Sequence, residues 1–325
     1  MRKIWERDRL YTLLRNYVDV YTRASYRRLT CRGTLPDERA VLICPNHTNT
    51  LMDALVVLQS RHAPTVFGAR ADIFAQPAVA RILRFLKILP MVRRRDGIRN
   101  VLRNYETMEE VQDVLANNTP FCMFPEGTHT PGRTLQPLQK GVARIAFQSA
   151  AQRPTQVVPV GINYSDFFHF RGTCNLVYGD PIDVNAFLAS HADLTEGARY
   201  QAFLEELAGH MRSLIQPEVP APRLHPLLQG IICLLWLPSA LLSLPMWLPA
   251  EWLCRNKVKD HAFHNTVRYV ARLLLTPLLL ILWAVLFFCL LPWWGALALL
   301  LLFVFSYSIF YDGLNLFLCK TQKSS

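Results

Sequence analysis

Three short apolar runs, separated by segments of helical character, define the central part of the chain. The runs cover residues 41–44, 121–124 and 157–162. Runs of this length that end in turn residues are typical of buried strands, and a helical spacing of apolar residues indicates helices between them. This alternation predicts an α/β domain over residues 35–215, with a central mixed sheet flanked by helices and with functional residues at the strand ends.

The first 34 residues show a different pattern, in which apolar residues recur at helical spacing and basic residues occupy the other positions. The apolar positions are Leu10, Leu13, Leu14, Tyr17, Val18 and Tyr21. A basic amphipathic helix of this kind is typical of segments that lie in the interface of an anionic membrane. The same pattern is also compatible with an ordinary amphipathic helix that packs against the domain. No apolar run here is long enough for a signal peptide.

Two long uncharged stretches dominate the last third of the chain, at residues 226–250 and 273–311. At about 1.5 Å of rise per residue, the second is long enough for two helices across roughly 30 Å of hydrocarbon, at 273–291 and 296–311. A Pro-Trp-Trp-Gly sequence at 292–295 separates them and suits the membrane interface. Residues 216–223 are rich in proline and predict a stiff linker before this membrane region, which covers 224–325.

The stretch at 226–250 allows two interpretations because prolines interrupt it. Basic residues at 255–272 follow it, and a single crossing would put them opposite the α/β domain, against the positive-inside rule if that domain is cytosolic. A kinked re-entrant hairpin avoids this conflict and is the hypothesis we favour. A kinked full span is the alternative. We therefore expect an integral membrane protein whose α/β domain lies on the cytosolic side.

The composition supports a membrane protein and argues against several other classes. The net charge is +11 and 51% of the residues are hydrophobic. No zinc spacing, recognition helix or aromatic RNA-binding motif accompanies the positive charge, so nucleic-acid binding is not expected. The eight cysteines contain no C-x-x-C pair, which predicts reduced thiols and no metal site. Gly-rich phosphate loops and the serine-esterase motif G-x-S-x-G do not occur.

His47 and Asp53 follow the first apolar run within a short turn. Six positions correspond to about 240° of rotation on an ideal helix, so the two residues cannot share a helical face. His47 is therefore predicted to precede a helix that carries Asp53 and has Asn49 or Thr50 as its N-cap. An imidazole oriented by a carboxylate can act as a general base. Alternatively, Thr50 and Asp53 resemble a capping box, which would make Asp53 structural.

Three further segments follow in order. Arginines at 93–95 stand where the chain leaves a predicted strand, an arrangement suited to a phosphate group. Residues 121–128 (FCMFPEGT) form a strand that ends in a turn with a carboxylate, and 157–162 form another strand. Together with the His/Asp pair, these blocks resemble the signature of the glycerolipid (PlsC-type) acyltransferase family over roughly residues 30–215. Phe-Pro-Glu-Gly-Thr is the most specific of them.

The resemblance implies a membrane-bound O-acyltransferase that moves an acyl group from acyl-CoA or acyl-carrier protein to glycerol 3-phosphate or 1-acylglycerol 3-phosphate, without a further cofactor. It implies that His47 is the base and that Asp53 orients it. The implied partners are membrane lipids, the thioester donor and a glycerol phosphate or lysophospholipid acceptor. The residues expected to bind substrate are Asn46, Arg93, Glu126, Gly127 and Thr128, and the further candidates for phosphate binding are Arg94, Arg133 and Lys140.

Two departures from the family pattern matter for the acceptor. Five residues separate His47 from Asp53, where four are usual, so the cap turn must absorb one residue. His129 stands where arginine usually follows the threonine of the third block. An acyltransferase with a phosphate-free lipid acceptor and a non-catalytic lipid-binding protein on the same frame therefore remain alternatives.

Overall fold

The computed structural model describes residues 3–6, 8–36, 39–61, 63–91 and 101–322, and it describes no side chains at 101–105 and 318–322. The strands are β1 (Arg28–Arg32), β2 (Ala40–Pro45), β3 (Val66–Arg70), β4 (Ile88–Met91), β5 (Phe121–Cys122), β6 (Thr155–Tyr164), β7 (Thr173–Tyr178) and β8 (Ile182–Asp183). The helices are α1 (Arg9–Ser25), α2 (Leu51–Gln59), α3 (Pro77–Phe85), α4 (Val101–Ala116), α5 (Gly141–Ala150), α6 (Val184–Ser190), α7 (Glu196–Leu214), α8 (Pro226–Asn256), α9 (His264–Leu290) and α10 (Trp293–Gln322). Short 3₁₀ helices at Ala71–Phe74 and His261–Phe263 precede α3 and α9.

The strands form one mixed sheet, which confirms the predicted fold class. Their order is β1-β7-β6-β2-β5-β3-β4, with β8 paired to β6. From β6 to β4 neighbouring strands are parallel, whereas β7 and β8 run antiparallel to β6. The carboxyl ends of β6, β2 and β5 therefore meet at one edge. Residues that follow these three strands can converge there, as is usual for sites in α/β folds.

Alternate residues of the central strands build two separate layers of core. On β2, Val41 and Ile43 face the layer that contains α2 and continues into the membrane helices. Leu42 and Cys44 face the layer formed with α4, α5 and α7. All four side chains are fully or almost fully buried. Because strand side chains alternate between faces, β2 is apolar on both sides, as expected for a parallel strand with helices on each face.

The amino-terminal segment was predicted correctly as a helix, but its extent and its packing differ from the prediction. The helix ends at Ser25, and residues 28–32 form the edge strand β1, which pairs in parallel with β7. The buried positions of α1 are Tyr11, Arg15, Thr22 and Ser25. Of the predicted apolar face, Leu10, Leu13 and Leu14 are exposed. The guanidinium of Arg15 donates to the carbonyls of Leu58, Arg61 and Ala63, so a basic residue holds this helix on the domain.

Within the residues that the structure describes, the predicted membrane region contains three helices that are long and apolar enough to cross a bilayer: Pro226–Asn256, His261–Leu290 and Trp293–Phe317. The break predicted at residues 292–295 occurs at Leu291 and Pro292. Residues 226–250 form no separate hairpin turn: they lie in α8, one continuous helix that includes Pro238, Pro245 and Pro249. Whether this segment is re-entrant or spans the bilayer stays a prediction. A proline removes only one backbone hydrogen bond, and packing against other helices offsets that loss.

Both halves of α8 contact the same end of the α9–α10 pair. These two helices run antiparallel, and the Arg272 guanidinium near the start of α9 stacks on the Tyr307 ring in the second half of α10. In the first half of α8, Trp236 donates to the carbonyl of Phe310 in α10. In its second half, Glu251 accepts from Arg268 in α9 at 2.9 Å. The helix therefore does not follow the long axis of the pair from end to end.

Candidate active site

His47 and Asp53 are brought together by the turn between β2 and α2. The Nδ1 atom of His47 lies 2.8 Å from Oδ2 of Asp53. Helix α2 starts at Leu51 after Thr50, whose φ is +47°. A β-branched residue with this φ is strained by about 1–3 kcal/mol. The Thr50 hydroxyl bonds to Thr266 (2.7 Å) and to the carbonyl of Ala262 (3.2 Å), both outside the domain, and these contacts hold the strained turn.

Asp53 is completely buried, and four hydrogen bonds stabilise its carboxylate. Besides the imidazole, Oδ2 accepts from the backbone amides of Thr48 (2.8 Å) and Asn49 (2.7 Å), and Oδ1 accepts from the Tyr164 hydroxyl at 2.8 Å. The carboxylate thus satisfies amides of the cap turn and also contacts the histidine. The Thr50–Asp53 capping box does not form, because the Thr50 side chain makes no capping hydrogen bond and Asp53 accepts from the amides of Thr48 and Asn49 instead. Oδ2 accepts from these amides and from the imidazole together, so a structural role of Asp53 is compatible with a catalytic one.

The hydrogen bonds determine which ring nitrogen of His47 is available for chemistry. An ionised carboxylate only accepts hydrogen bonds, so Nδ1 carries the proton and the neutral ring has its lone pair on Nε2. Among the described residues, Nε2 makes no hydrogen bond, and 18% of the side chain is exposed. The ring stacks on Phe124, with 4.1 Å between centroids. His47 is therefore held from one side and open at the atom that would take a proton.

Glu126 contacts the backbone around the histidine with both of its carboxylate oxygens. Oε1 accepts from the amide of His47 at 2.7 Å, and Oε2 accepts from the amide of Gln136 at 2.8 Å. Burial raises the pKa of this carboxyl, and the two backbone hydrogen bonds partly oppose that rise. Glu126 was predicted to bind substrate, and in the structure its contacts position the base and the loop after the Pro-Glu-Gly turn.

The adjacent Gly127 and Thr128 shape this turn. Gly127 has a φ of +65°, in the left-handed region that favours glycine, and an added Cβ would lie 3.1 Å from the Gln139 side chain. The Thr128 side chain is exposed. Both residues lie on the rim of the site, where an acceptor could reach them.

Asn46 belongs to the scaffold beneath the site. Its side-chain oxygen accepts from the amide of Ile162 at 2.6 Å, and its side-chain nitrogen donates to the carbonyl of the same residue at 3.1 Å. The side chain is buried and extends the pairing of β2 with β6 by one residue. Both polar atoms of the Asn46 side chain have backbone partners, and its contact with substrate stays a prediction.

The candidates for phosphate binding differ in their surroundings. Arg93 and Arg94 lie outside the described residues, as does the rest of 92–100. The guanidinium of Arg133 donates to the carbonyl of Tyr164 at 3.1 Å and lies over the Phe167 ring, next to the residue that bonds Asp53. Lys140 is exposed and immediately precedes α5. Of these residues, Arg133 has the clearest connection to the dyad.

Sequence reasoning missed two residues that complete the site. Tyr164 ends β6, so its position at the carboxyl edge was the only available signal. Asp260 lies in the membrane region, and its Oδ2 is 3.0 Å from Nε2 of His129. That hydrogen bond holds the pKa of Asp260 below its usual range. The ring of His129 is 5.7 Å from that of His47, so a second imidazole–carboxylate pair borders the first.

A mixed α/β sheet with an oriented, solvent-accessible imidazole at its carboxyl edge defines a domain able to deprotonate a hydroxyl group. Among the described residues, no group of three or more His, Cys, Asp or Glu side chains could hold a metal ion. Residues 28–163 match the family model described as Acyltransferase, and this domain belongs to that family, within the glycerolipid acyltransferase superfamily. The family assignment made from the sequence motifs is thereby confirmed.

Individual relatives match a small part of the chain. The glycerol-3-phosphate O-acyltransferase 2 of Saccharomyces cerevisiae is 38% identical over 85 residues, which are 25% of this chain and 11% of the relative. An uncharacterized acyltransferase of Schizosaccharomyces pombe is 32% identical over 78 residues, or 23% of this chain and 12% of the relative. The matches thus span about a tenth of the length of these relatives. The 1-acyl-sn-glycerophosphate acyltransferase PlsC of Thermotoga maritima superposes with a TM-score of 0.44 and 21% identity, over 64% of this chain and 82% of that one.

Proposed function

We propose that the protein is a membrane-bound O-acyltransferase that transfers a fatty acyl group from acyl-CoA or acyl-carrier protein to glycerol 3-phosphate or 1-acylglycerol 3-phosphate. The observation that carries the proposal is the 2.8 Å contact between His47 and the buried Asp53, with no hydrogen bond to Nε2 of the ring from any residue that the structure describes. No further cofactor is required, since the thioester is itself an activated donor.

In the proposed reaction, the acceptor hydroxyl donates its proton to Nε2 of His47 while its oxygen attacks the thioester carbonyl. Asp53 stabilises the imidazolium that forms, because its negative charge contacts Nδ1–H. The tetrahedral intermediate then collapses: the carbon–sulfur bond breaks, the ester remains, and the thiolate takes the proton from Nε2. The base is thereby regenerated. No side chain has to form a covalent intermediate, which agrees with the position of the imidazole as the exposed reactive group.

Two observations support an acceptor that carries a phosphate group: the names of two relatives and the basic residues of the chain. Two curated relatives are named glycerol-3-phosphate O-acyltransferases, although the matches cover 11% and 10% of their lengths. The guanidinium of Arg133 bonds the carbonyl of Tyr164 beside the dyad, and the sequence contains three arginines at 93–95. Guanidinium groups bind phosphate through paired hydrogen bonds.

Membrane attachment is supported by the three apolar helices and by an exposed apolar surface on the domain, which we name the α1–α3 surface. It consists of Leu10, Leu13, Leu14 and Val20 of α1 and Ile73, Val79, Ile82, Phe85 and Leu86 in and around α3. The Tyr11 and Phe85 rings join the two helices, and the Tyr17 hydroxyl joins α1 to the Leu273 carbonyl of α9. An apolar surface continuous with membrane helices suits the interface of the same leaflet.

We also propose that the α9–α10 pair crosses the bilayer while α8 stays in one leaflet. The contacts of both α8 halves with the domain end of the pair support this arrangement. The catalytic domain and the basic residues at 255–259 would then share one side, which the positive-inside rule makes the cytosolic side. Labelling of single cysteines at 257 and 259 in sealed membranes tests it, and reaction only from the far side would contradict it.

The decisive experiment is acyl transfer by the purified full-length protein in bilayers, with glycerol 3-phosphate, 1-acylglycerol 3-phosphate and phosphate-free lysolipids offered in parallel. Acyl-CoA and acyl-carrier protein serve as donors in separate reactions. We expect turnover with a phosphate-bearing acceptor and a loss of about 10²–10⁴-fold in His47→Ala. Turnover with phosphate-free acceptors alone would show that the natural acceptor carries no phosphate. Activity retained in His47→Ala, or none in folded protein, would contradict the proposal and favour a non-catalytic lipid-binding role.

A further inference from the structure

The segment that joins α8 to α9, residues 257–263, contacts the active site although it belongs to the membrane region. We call it the α8–α9 loop. Its Asp260 bonds His129 at 3.0 Å, and the Phe263 ring packs edge-on against the His129 ring at 4.9 Å. The carbonyl of Ala262 accepts from the Thr50 hydroxyl in the dyad turn. The loop is therefore fixed to both motif turns of the domain.

The first turn of α9 strengthens this attachment. Thr266 bonds Thr50 at 2.7 Å, and the side-chain amide of Asn265 donates to the carbonyl of Phe167 at 2.8 Å. Asn265 is buried, with 3% exposure. Since Thr50 belongs to the same short turn as the amides of Thr48 and Asn49 that bond Asp53, the loop and the start of α9 form a wall beside the dyad.

The charge of this wall is positive and faces solvent. Lys257, Lys259 and His261 are exposed. Asp260 is partnered by His129, and the Glu251 carboxylate is shared by Arg255 and Arg268, so neither acid directly neutralises the two lysines. Lys259 is adjacent to Asp260, and consecutive Cα atoms lie about 3.8 Å apart. A flexible lysine can therefore extend from the His129 contact over the mouth of the site.

We propose that the α8–α9 loop, fixed by the His129–Asp260 pair, forms one side of the acceptor pocket and that Lys257 and Lys259 bind the phosphate group of the acceptor. This rests on the proposed function and extends it. The third motif has His129 in place of an arginine, so one expected phosphate contact is missing from the domain. In this arrangement the histidine fixes the loop, and the loop supplies the positive charge. The ligand class is a phosphate monoester, which occurs in the acceptor and also in acyl-CoA.

The first test removes the two lysines in the full-length protein in bilayers. Lys257→Ala combined with Lys259→Ala should raise the KM for the phosphate acceptor about tenfold or more, while kcat and the KM for the donor change less than twofold. The matched control removes two exposed arginines outside the wall, Arg32 and Arg223, and should leave every constant unchanged. An unchanged acceptor KM overturns the proposal. A rise in the KM of acyl-CoA alone also overturns it, because the lysines would then bind the donor.

The second test separates docking of the loop from simple electrostatics. Asp260→Ala removes a negative charge, so electrostatics alone would lower the acceptor KM. Loss of docking instead raises it, and His129→Ala should raise it by a similar factor. The double variant should be no worse than either single variant, since the two residues act as one contact. A lowered KM in Asp260→Ala, or additive effects of the two changes, would refute the role of the pair.

A third measurement does not depend on turnover. Glycerol 3-phosphate should protect Lys257 and Lys259 from an amine-reactive reagent, as read by mass spectrometry, and glycerol should not. Lys3 donates a hydrogen bond to Asp113 of α4, away from the α8–α9 loop. It is the internal control and should react equally with and without glycerol 3-phosphate. If the two lysines are protected but the protein has no transferase activity, the phosphate site is supported and the proposed acyl transfer is contradicted. Equal labelling with and without glycerol 3-phosphate would reject the site.

Discussion

Glu126→Gln distinguishes a residue that positions the base from one that binds the acceptor. Both carboxylate oxygens accept from backbone amides, those of His47 and Gln136. A glutamine side chain has only one oxygen, so in either orientation its amide nitrogen faces a backbone N–H. The variant therefore leaves one buried backbone donor without a partner, at a cost of about 1–3 kcal/mol. Relief of the cost of burying the charge offsets part of this penalty.

The consequence for catalysis follows from the contact with His47. If its amide is released, the ring can shift relative to the acceptor oxygen, and a misplacement of about 1 Å costs on the order of 10²-fold in rate. We expect Glu126→Gln to lower kcat by about this factor, with the acceptor KM changed less than threefold. Steady-state kinetics in bilayers, with thermal unfolding measured in parallel, provides the readout.

The matched control uses the partner of Oε2. Gln136→Ala keeps the backbone N–H that bonds Glu126 and should have near-normal kcat, whereas Gln136→Pro removes that N–H, keeps the bond between Oε1 and the His47 amide, and should lower kcat less than Glu126→Gln does. A Glu126→Gln protein with normal kcat and an acceptor KM raised tenfold or more would refute the positioning argument. Such a result would show that Glu126 contacts the acceptor, as the family motif implied.

Three further predictions concern contacts around the site and the membrane region. Tyr164→Phe leaves one oxygen of the buried Asp53 without its hydrogen bond. In the kinetic assay this variant should raise the activation free energy by about 1.5–3 kcal/mol, which lowers kcat, with donor and acceptor KM nearly unchanged. Asp312→Ala removes a carboxylate that Arg171 contacts through two nitrogens, at 3.0 and 3.1 Å, and should destabilise the protein by about 3–5 kcal/mol in detergent unfolding, while Asp312→Asn should cost less. A fluorophore on a cysteine at position 82 should be quenched by lipids with quenchers near the headgroups, and an unquenched signal would contradict the interfacial α1–α3 surface.

The local part of the site could be predicted from the sequence because a strand and a short turn determine it. The separation of His47 and Asp53 excluded a shared helical face, and the structure has them on either side of the cap turn. Tyr164 could not be predicted as a partner of Asp53, since 111 positions separate the two and only sheet pairing brings them together. Asp260 was equally inaccessible, because its contact with His129 depends on how the membrane region docks.

The amino-terminal helix illustrates what a periodic pattern leaves open. The spacing of Leu10, Leu13 and Leu14 correctly predicted a helix, but periodicity does not say whether an apolar face meets protein or lipid. The face on the domain is built around Arg15, whose guanidinium donates to three carbonyls in the last turn of α2 and just after it. The strand β1 was missed because charged and polar residues dominate Arg28–Arg32, as is common at a sheet edge exposed to solvent.

The contacts between the domain and the membrane helices imply that the site is not complete in the domain alone. The strained Thr50 is held by Ala262 and Thr266. These hydrogen bonds offset a backbone cost of about 1–3 kcal/mol, in the turn whose amides orient Asp53. A protein that ends at residue 216 should therefore relax at Thr50 and lose the geometry around His47 even where the sheet folds. We expect such a fragment to transfer acyl groups at least tenfold more slowly than the full chain, measured with a water-soluble short-chain thioester and glycerol 3-phosphate so that access to the membrane plays no part. A fragment with a native near-ultraviolet spectrum and full activity would show that the membrane helices only attach the domain.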